Sequence, residues 1–381
     1  MIPGPSEADP EVLPILSQQV VAHYGADWYQ TYVDTLEKLK NVFKTNSEVI
    51  ILPAPGSAGI EMAASNILEP GEKAGVVMNG FFGELAKFLI ESYGGVGVPI
   101  QTDYGKPVDL DVVEQEFEQN DLKALFVVHS DTSSGVSNPV KELAAIANKH
   151  GALVVVDAVS SFAGMELEVD EWKIDFCVGY AGKALGGVVG ATPIAIANSV
   201  WDRATKRKSR VPGRLLSLPC WKDAIDNWSS WGHPYPTTQP ASIILAMRRA
   251  LELALQEGLD NRYARHRKVA KALREAWKAM GLTIFPDERI ASDTVSVLNV
   301  PRDTDSKIRE IMYDTYNIMI SKGLGKLSGR VIRIGHMGTS CSYGHVTQTI
   351  AALAGCLSML GISNRGVEGL KVAVELLKDE P

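Results

Sequence analysis

Between about Ser47 and Asp175 the chain alternates short, continuous apolar runs with stretches of helical periodicity, and this pattern narrows its possible folds more than any other feature. Glu48–Leu52 (EVIIL), Ala74–Met78, Gly97–Pro99, Ala124–His129 (ALFVVH) and Ala152–Asp157 (ALVVVD) read as strands. Ile60–Leu68, Phe82–Tyr93, Leu110–Glu118 and Val140–His150 read as the helices between them. Strands alternating with helices of this length imply parallel pairing with helices on both faces. The runs are apolar throughout rather than at every second position, which fits strands buried on both faces.

Further on, a long apolar-striped helix from Ala241 to Gln256 ends at Gly258, and Asn261–Met280 reads as a second helix dense in Arg and Lys. Short strand-like pieces (Thr283–Phe285, Thr294–Val300, Arg330–Ile334) then alternate with helices at Ser306–Tyr316 and His345–Leu360, the pattern of a smaller α+β unit. Residues 363–381 read as a polar turn and one amphipathic terminal helix. The expected fold is α/β. A large domain over residues 19–257 has a mostly parallel central sheet flanked by helices, and a smaller C-terminal α+β domain covers residues 258–381.

The 381 residues suffice for a large core and more than one domain. A net charge of −7 argues against nucleic acid as the main partner. The basic cluster Arg203, Lys206, Arg207, Lys208 and Arg210 reads as a solvated helix face or loop. Cys177, Cys220, Cys341 and Cys356 show no CxxC spacing, so neither a metal site nor a disulfide scaffold is expected, and a reducing, cytoplasmic setting is. The N-terminus lacks the basic start and apolar stretch of a signal peptide. No apolar run approaches the roughly 18–20 residues of a membrane helix.

Ligands of open parallel sheets bind beyond the carboxyl ends of the strands. After EVIIL comes a small-residue turn, Gly56-Ser57-Ala58-Gly59, where a close backbone and free helix-start amides could cradle a phosphate. Many such turns are Gly/Ser-rich for packing alone. After ALVVVD, Asp157 sits where a carboxylate could point into a cleft or cap a helix. Lys183 lies alone in an apolar, glycine-rich stretch from Ala181 to Gly190. Burial there would lower its pKa and make it a nucleophile towards carbonyls; the alternative is a snorkelling surface lysine. Arg333 lies inside an apolar strand, suited to an ion pair or to gripping a carboxylate bidentately. One cofactor uses all four features. Pyridoxal 5'-phosphate needs a Schiff-base lysine and a carboxylate at its ring nitrogen, an anion cradle for its phosphate, and an arginine for the substrate carboxylate.

With HSDTSSG at His129–Gly135, VDAVSSFAG at Val156–Gly164, a lysine 26 residues after Asp157, and RIGHMG at Arg333–Gly338, the chain resembles the class V aminotransferases of fold type I. It is most similar to their alanine/serine–glyoxylate (serine–pyruvate) group, from Pro3-Gly-Pro-Ser6 to about Leu360. The resemblance implies that Lys183 carries the cofactor and Asp157 pairs with its ring nitrogen. Val159 would lie under the ring and Phe82 stack on it, while Thr132 would bond near the ring hydroxyl or the substrate. Gly56, Ser57 and Ala58 would hold the phosphate, joined by Tyr235 and Thr238 from the second subunit of a homodimer. Arg333 would bind the substrate carboxylate, and Gly4 and Pro5 would line the pocket within an N-terminal arm of residues 1–18. The chemistry implied is ping-pong transfer from alanine or serine to glyoxylate or pyruvate.

Two departures stand out. Gly182 replaces the glutamine usual before the lysine, and Gly186-Gly-Val-Val-Gly190 replaces a run with two prolines. The first removes an expected phosphate contact. Rival readings are 2-aminoethylphosphonate–pyruvate aminotransferase and pyridoxamine–pyruvate aminotransferase. The second of these has a carboxylate where Pro55 stands here. A cofactor-free binding protein on the same fold is the non-enzymatic alternative, opposed by the presence of both Lys183 and Asp157.

Overall fold

The apolar runs pair side by side. In chain order the strands are β1 (Glu48–Leu52), β2 (Lys73–Met78), β3 (Val96–Gln101), β4 (Leu122–Val128), the short β5 (Ser130–Asp131) and β6 (Val136–Ser137), β7 (Leu153–Asp157), β8 (Phe176–Val178), β9 (Thr192–Ile196), β10 (Val295–Asn299), β11 (Ser321–Lys322) and β12 (Val331–Gly335). The helices are α1 (Ala26–Phe43), α2 (Gly56–Ile67), α3 (Phe81–Ser92), α4 (Leu110–Gln119), α5 (Val140–Lys149), α6 (Asn198–Thr205), α7 (Leu218–Trp228), α8 (Ala241–Glu257), α9 (Leu259–Ala279), α10 (Asp305–Tyr316), α11 (Tyr343–Met359) and α12 (Gly366–Leu377). This computed structural model describes residues 1–378, so the last three residues of the expected terminal helix region lie outside the described residues.

The large sheet has seven strands in the order β1-β9-β8-β7-β4-β2-β3. β8, β7, β4, β2 and β3 are parallel. β9 runs antiparallel to both its neighbours, β1 and β8. β1 therefore points the same way as the parallel set, and the carboxyl ends of β1, β4, β7 and β8 share one edge. A second sheet, β10-β12-β11, is antiparallel.

Several elements differ from the sequence reading. The reading names no strand at β9, whose Pro193 in TPIAI has no amide to donate to a ladder. The fold accommodates it opposite Ile51 and uses its carbonyl to accept from the Gly179 amide at 2.9 Å. The reading also names no helix at α1, which starts after Gly25 without a side-chain cap. α1 buries Trp28, Tyr32, Leu39, Val42 and Phe43. α2 begins at Gly56, four residues before the expected Ile60, so the small-residue turn is itself the helix start. The expected strand at Thr283–Phe285 is a single bridge, Ile284 to Leu298. The basic cluster is partly pinned: the half-buried Arg203 donates from Nε to the Ile67 carbonyl at 2.9 Å and pairs with Glu72.

Burial separates two main apolar cores. One gathers β1, β4, β7 and β9 with α2, α5 and α8. The other gathers α9, α11 and α12 with β10 and β12, and it includes Met1. Among the described residues no helix is long and apolar enough to cross a membrane.

Phe126, on central strand β4, is 2 % exposed. Phe126→Ala should therefore destabilise the protein by about 3–5 kcal/mol. Urea unfolding should show a lower midpoint at unchanged slope, and a wild-type midpoint would contradict the burial.

Candidate active site

Strand pairing sets the site. Val155, Val156 and Asp157 of β7 lie opposite Phe176, Cys177 and Val178 of β8, and the Ala158 amide donates to the Val178 carbonyl at 2.9 Å. This places Asp157 beside the strand that leads into the Lys183 turn. Asp157 Oδ1 accepts from the Val159 amide at 2.9 Å. Burial pushes the Asp157 carboxyl up to about 6, the Val159 amide and the Lys183 cation pull against that rise, and neighbouring Asp131 adds to it.

Beyond β8 the backbone folds back on itself: Gly186 donates to the Lys183 carbonyl and Gly187 to the Ala181 carbonyl, each at 2.9 Å. Lys183 is drawn down to about 8, first by burial and then by repulsion from Arg333, with Asp157 opposing. Its Nζ donates to the Pro3 carbonyl. The N-terminal arm thus lies across the lysine. Ser6 donates its amide to the Gly182 carbonyl at 3.0 Å and its hydroxyl to the Lys183 carbonyl at 2.6 Å. Gly4 has φ +131, and a Cβ there would stand 2.0 Å from Lys183 Nζ, so only glycine fits. Pro5, beside it, is exposed.

Arg333 reaches the same cleft from β12. Its Nε donates to the Lys322 carbonyl at 2.7 Å and its Nη1 to the Thr132 carbonyl at 3.0 Å. Nη2 has no protein partner among the described residues. Burial lowers the guanidinium to about 10, with Asp131 opposing. The Thr132 hydroxyl, from the turn between β5 and β6, also has no protein partner among the described residues.

At the start of α2 the Ala58 amide returns to the Pro55 carbonyl at 2.9 Å, whereas the amides of Gly56 and Ser57 find no acceptor among the described residues. A Cβ on Gly56 would meet Val159 Cγ2 at 2.5 Å, so this helix end packs directly on the residue bonded to Asp157. Close approaches, hydrogen bonds and electrostatic contacts link Gly56, Val159, Asp157, Lys183, Gly4, Arg333 and Thr132 as a chain of neighbours. Tyr235 and Thr238 are not joined to it by any bond. The Tyr235 hydroxyl receives Trp28 Nε1 at 2.6 Å and donates to the His23 carbonyl, and Thr238 is exposed.

The chain matches the family described as Aminotransferase class-V over residues 16–333. It belongs to the class-V aminotransferases. A pyridoxamine–pyruvate transaminase of Mesorhizobium japonicum is 29% identical, with 98% of this chain and 95% of that protein covered. The crystal structure of ureidoglycine–glyoxylate aminotransferase from Bacillus subtilis superposes with a TM-score of 0.94 at 29% identity, covering 100% of this chain and 97% of that one. That of an alanine–glyoxylate aminotransferase from Nostoc sp. gives 0.89 at 28% identity, covering 94% of each. The chain is therefore an aminotransferase of the fold-type I architecture.

This class-V chain also uses a residue to which the sequence motifs assign no role. Asp131, 1 % exposed, accepts from the amides of Phe82 at 3.0 Å and Ser133 at 2.8 Å. It holds the start of α3, which carries Phe82, and it faces Arg333 electrostatically. Only its place after a strand end could have flagged it. The structure also gives Gly182 a reason: a Cβ there would meet Val189 Cγ1 at 3.0 Å and Tyr180 Cε1 at 3.1 Å. Tyr180 and Val189 fill the space that a longer side chain would need.

Because burial and Arg333 lower Lys183 to about 8, its free amine forms well below the ordinary lysine range. Capture of an aldehyde by the apoprotein should rise with pH through a midpoint near 8. Arg333→Met should move that midpoint upward, because it removes a repelling cation. Trapping rates with pyridoxal and cyanoborohydride from pH 6 to pH 11 (about the range that spans both limits) measure it, and a midpoint near that of free lysine would refute the assignment.

Proposed function

We propose that this chain is a pyridoxal 5'-phosphate-dependent aminotransferase. It moves the amino group of a small amino acid, alanine or serine, to a small keto acid, glyoxylate or pyruvate, in two successive half-reactions. The observation that carries the reading is the convergence of Lys183, Asp157 and Arg333 at one strand edge. The names of the relatives, two glyoxylate aminotransferases and a pyruvate transaminase, support the acceptor class.

The residues fit the cofactor. The free amides of Gly56 and Ser57 at the positive end of α2 suit its phosphate. Pro55, the N-cap, brings no carboxylate to oppose that charge, which favours the phosphorylated cofactor over the bare vitamer. When bound, the cofactor supplies an electron sink for the carbon that loses its proton. Asp157 holds positive charge at the ring nitrogen through its carboxylate. Lys183 Nζ, with its pKa lowered to about 8, would take the proton from the substrate Cα in its free-amine form and pass it to the cofactor carbon within the same half-reaction, and the second half-reaction would run the same transfer in reverse. Arg333 grips the α-carboxylate, with Nε and Nη1 already anchored to backbone carbonyls and Nη2 left for the ligand. Gly4 leaves room at the amine, and the arm shields it from water.

The homodimer belongs to the same reading, with Tyr235 and Thr238 serving the partner's phosphate. Sedimentation should give a dimer mass, and a monomer that retains full cofactor affinity would remove this part.

A donor and acceptor panel tests the function. Half-reactions with alanine and serine should proceed and that with 2-aminoethylphosphonate should not; glyoxylate and pyruvate should outrun 2-oxoglutarate. A strong preference for the phosphonate or for 2-oxoglutarate would overturn the reading. Arg333→Met should slow both half-reactions by about tenfold or more, because a charge-assisted pair contributes roughly 1.5–3 kcal/mol. Lysine at 333 should recover only part, since it cannot make the fork.

A further inference from the structure

The turn that carries Lys183, from Ala181 to Gly190, contains four glycines, at positions 182, 186, 187 and 190. Glycine loses more conformational freedom on ordering than any other residue, so such a turn does not hold a side chain in place by itself. The carbonyls of the two residues after the lysine, Ala184 and Leu185, are both taken by Arg262 Nη2, at 2.7 and 3.0 Å. Arg262 Nε donates to the carbonyl of Ala163 at 2.9 Å, in the loop that comes after Asp157. Its Nη1 donates to Glu257 Oε2 at 2.6 Å.

One guanidinium, 6 % exposed, therefore ties the turn of Lys183 to the segment of Asp157. The anchor is doubled. Burial pushes the Glu257 carboxyl up, but Arg265 and Arg262 together bring it below its ordinary range. Arg265 itself meets Glu257 through Nε at 2.6 Å and Nη2 at 2.9 Å. Arg262 stands in the first turn of α9, just past Gly258 where α8 ends. The planar fork of arginine serves three directions at once, which an ammonium on a flexible stem does not.

We propose that Arg262 is a positioning residue for Lys183: it fixes the glycine-rich turn against the Asp157 segment and so keeps Nζ in register with the reacting carbon. It touches neither substrate nor cofactor and acts through backbone carbonyls. The proposal rests on the proposed function, in which Lys183 is the reacting amine. Small misplacements of a reacting group remote from a substitution cost up to about a hundredfold in rate.

The test compares Arg262→Met and Arg262→Lys with the wild-type protein. In the apoprotein, hydrogen exchange of the peptide covering residues 181–190 should quicken about tenfold or more in Arg262→Met, while the peptide of β4 stays protected. With pyridoxal 5'-phosphate bound, the alanine half-reaction should lose about tenfold to a hundredfold in maximal rate with little change in the alanine concentration for half-saturation. The pH midpoint of the bound cofactor's absorbance should move as well, and Arg262→Lys should recover part of each effect. Wild-type exchange in Arg262→Met overturns the proposal. So does faster exchange with an unchanged rate and pH midpoint, which would make Arg262 merely structural. If Arg262→Met does not fold, Glu257→Gln, which keeps Arg262 and weakens its anchor, should give the same changes at smaller size, and no change would overturn it. If the wild-type protein captures no cofactor, the proposed function falls and the positioning role falls with it; if the wild type reacts and Arg262→Met matches it, the positioning role alone falls.

Discussion

Two cations, Lys183 and Arg333, are buried against one cleft and repel each other, and everything around them is arranged to make that tolerable. Their repulsion and their burial both favour the uncharged amine. Asp157 offsets the charge on Lys183 and Asp131 that on Arg333. Burial chiefly pushes Asp157 up to about 6, and neighbouring Asp131 adds to the rise. Removing one member of such a buried set leaves its partner uncompensated, which costs more than the pair contributes. The balance explains why the amine loses its proton more readily than an ordinary lysine.

That balance depends on backbone being brought unusually close. Asp131 lies against Gly80, where a Cβ would sit 2.2 Å from the carboxylate carbon. Gly56 lies against Val159 and Gly4 against the lysine itself. Three glycines from three distant parts of the chain open the space in which four charged side chains can approach. The parallel sheet makes the meeting possible, since the carboxyl ends of β1, β4, β7 and β8 all reach one edge.

Much of this was legible in the sequence because it depends on local chemistry. Short, continuous apolar runs such as EVIIL and ALVVVD, set between helical stretches, fit buried strands, and the residues just past the end of a parallel strand lie at the ligand edge. Lys183 stood out because nothing near it in sequence explained a charge. The illegible part depends on contacts made across hundreds of residues. β9 hides behind Pro193, and its antiparallel direction comes from its neighbours rather than its composition. Asp131 looks like any loop carboxylate until the Phe82 amide is seen donating to it. Arg262 sits in a helix dense in Arg and Lys, where nothing in the sequence sets one arginine apart, and its burial singles it out.

The N-terminal arm shows how the two cores are made to share one site. Met1 is buried in the core of the small sheet, and its carbonyl accepts from Gly335 at 2.9 Å, two residues after Arg333. Five residues later Ser6 is bonded to both Gly182 and Lys183, and the Asp9 amide donates to the Gly186 carbonyl at 2.9 Å. The arm is thus fastened at one end to the strand of the arginine and at the other to the turn of the lysine. Pro3, between these anchors, offers its carbonyl to Lys183 Nζ. An amine drawn down to about 8 would otherwise be a buried donor without a partner, a costly state. The anchors at Gly335, Gly182 and Gly186 make no use of the lysine side chain. The attachment of the arm therefore does not depend on the Lys183 amine that it covers, because its anchors are made to backbone groups of Gly335, Gly182 and Gly186.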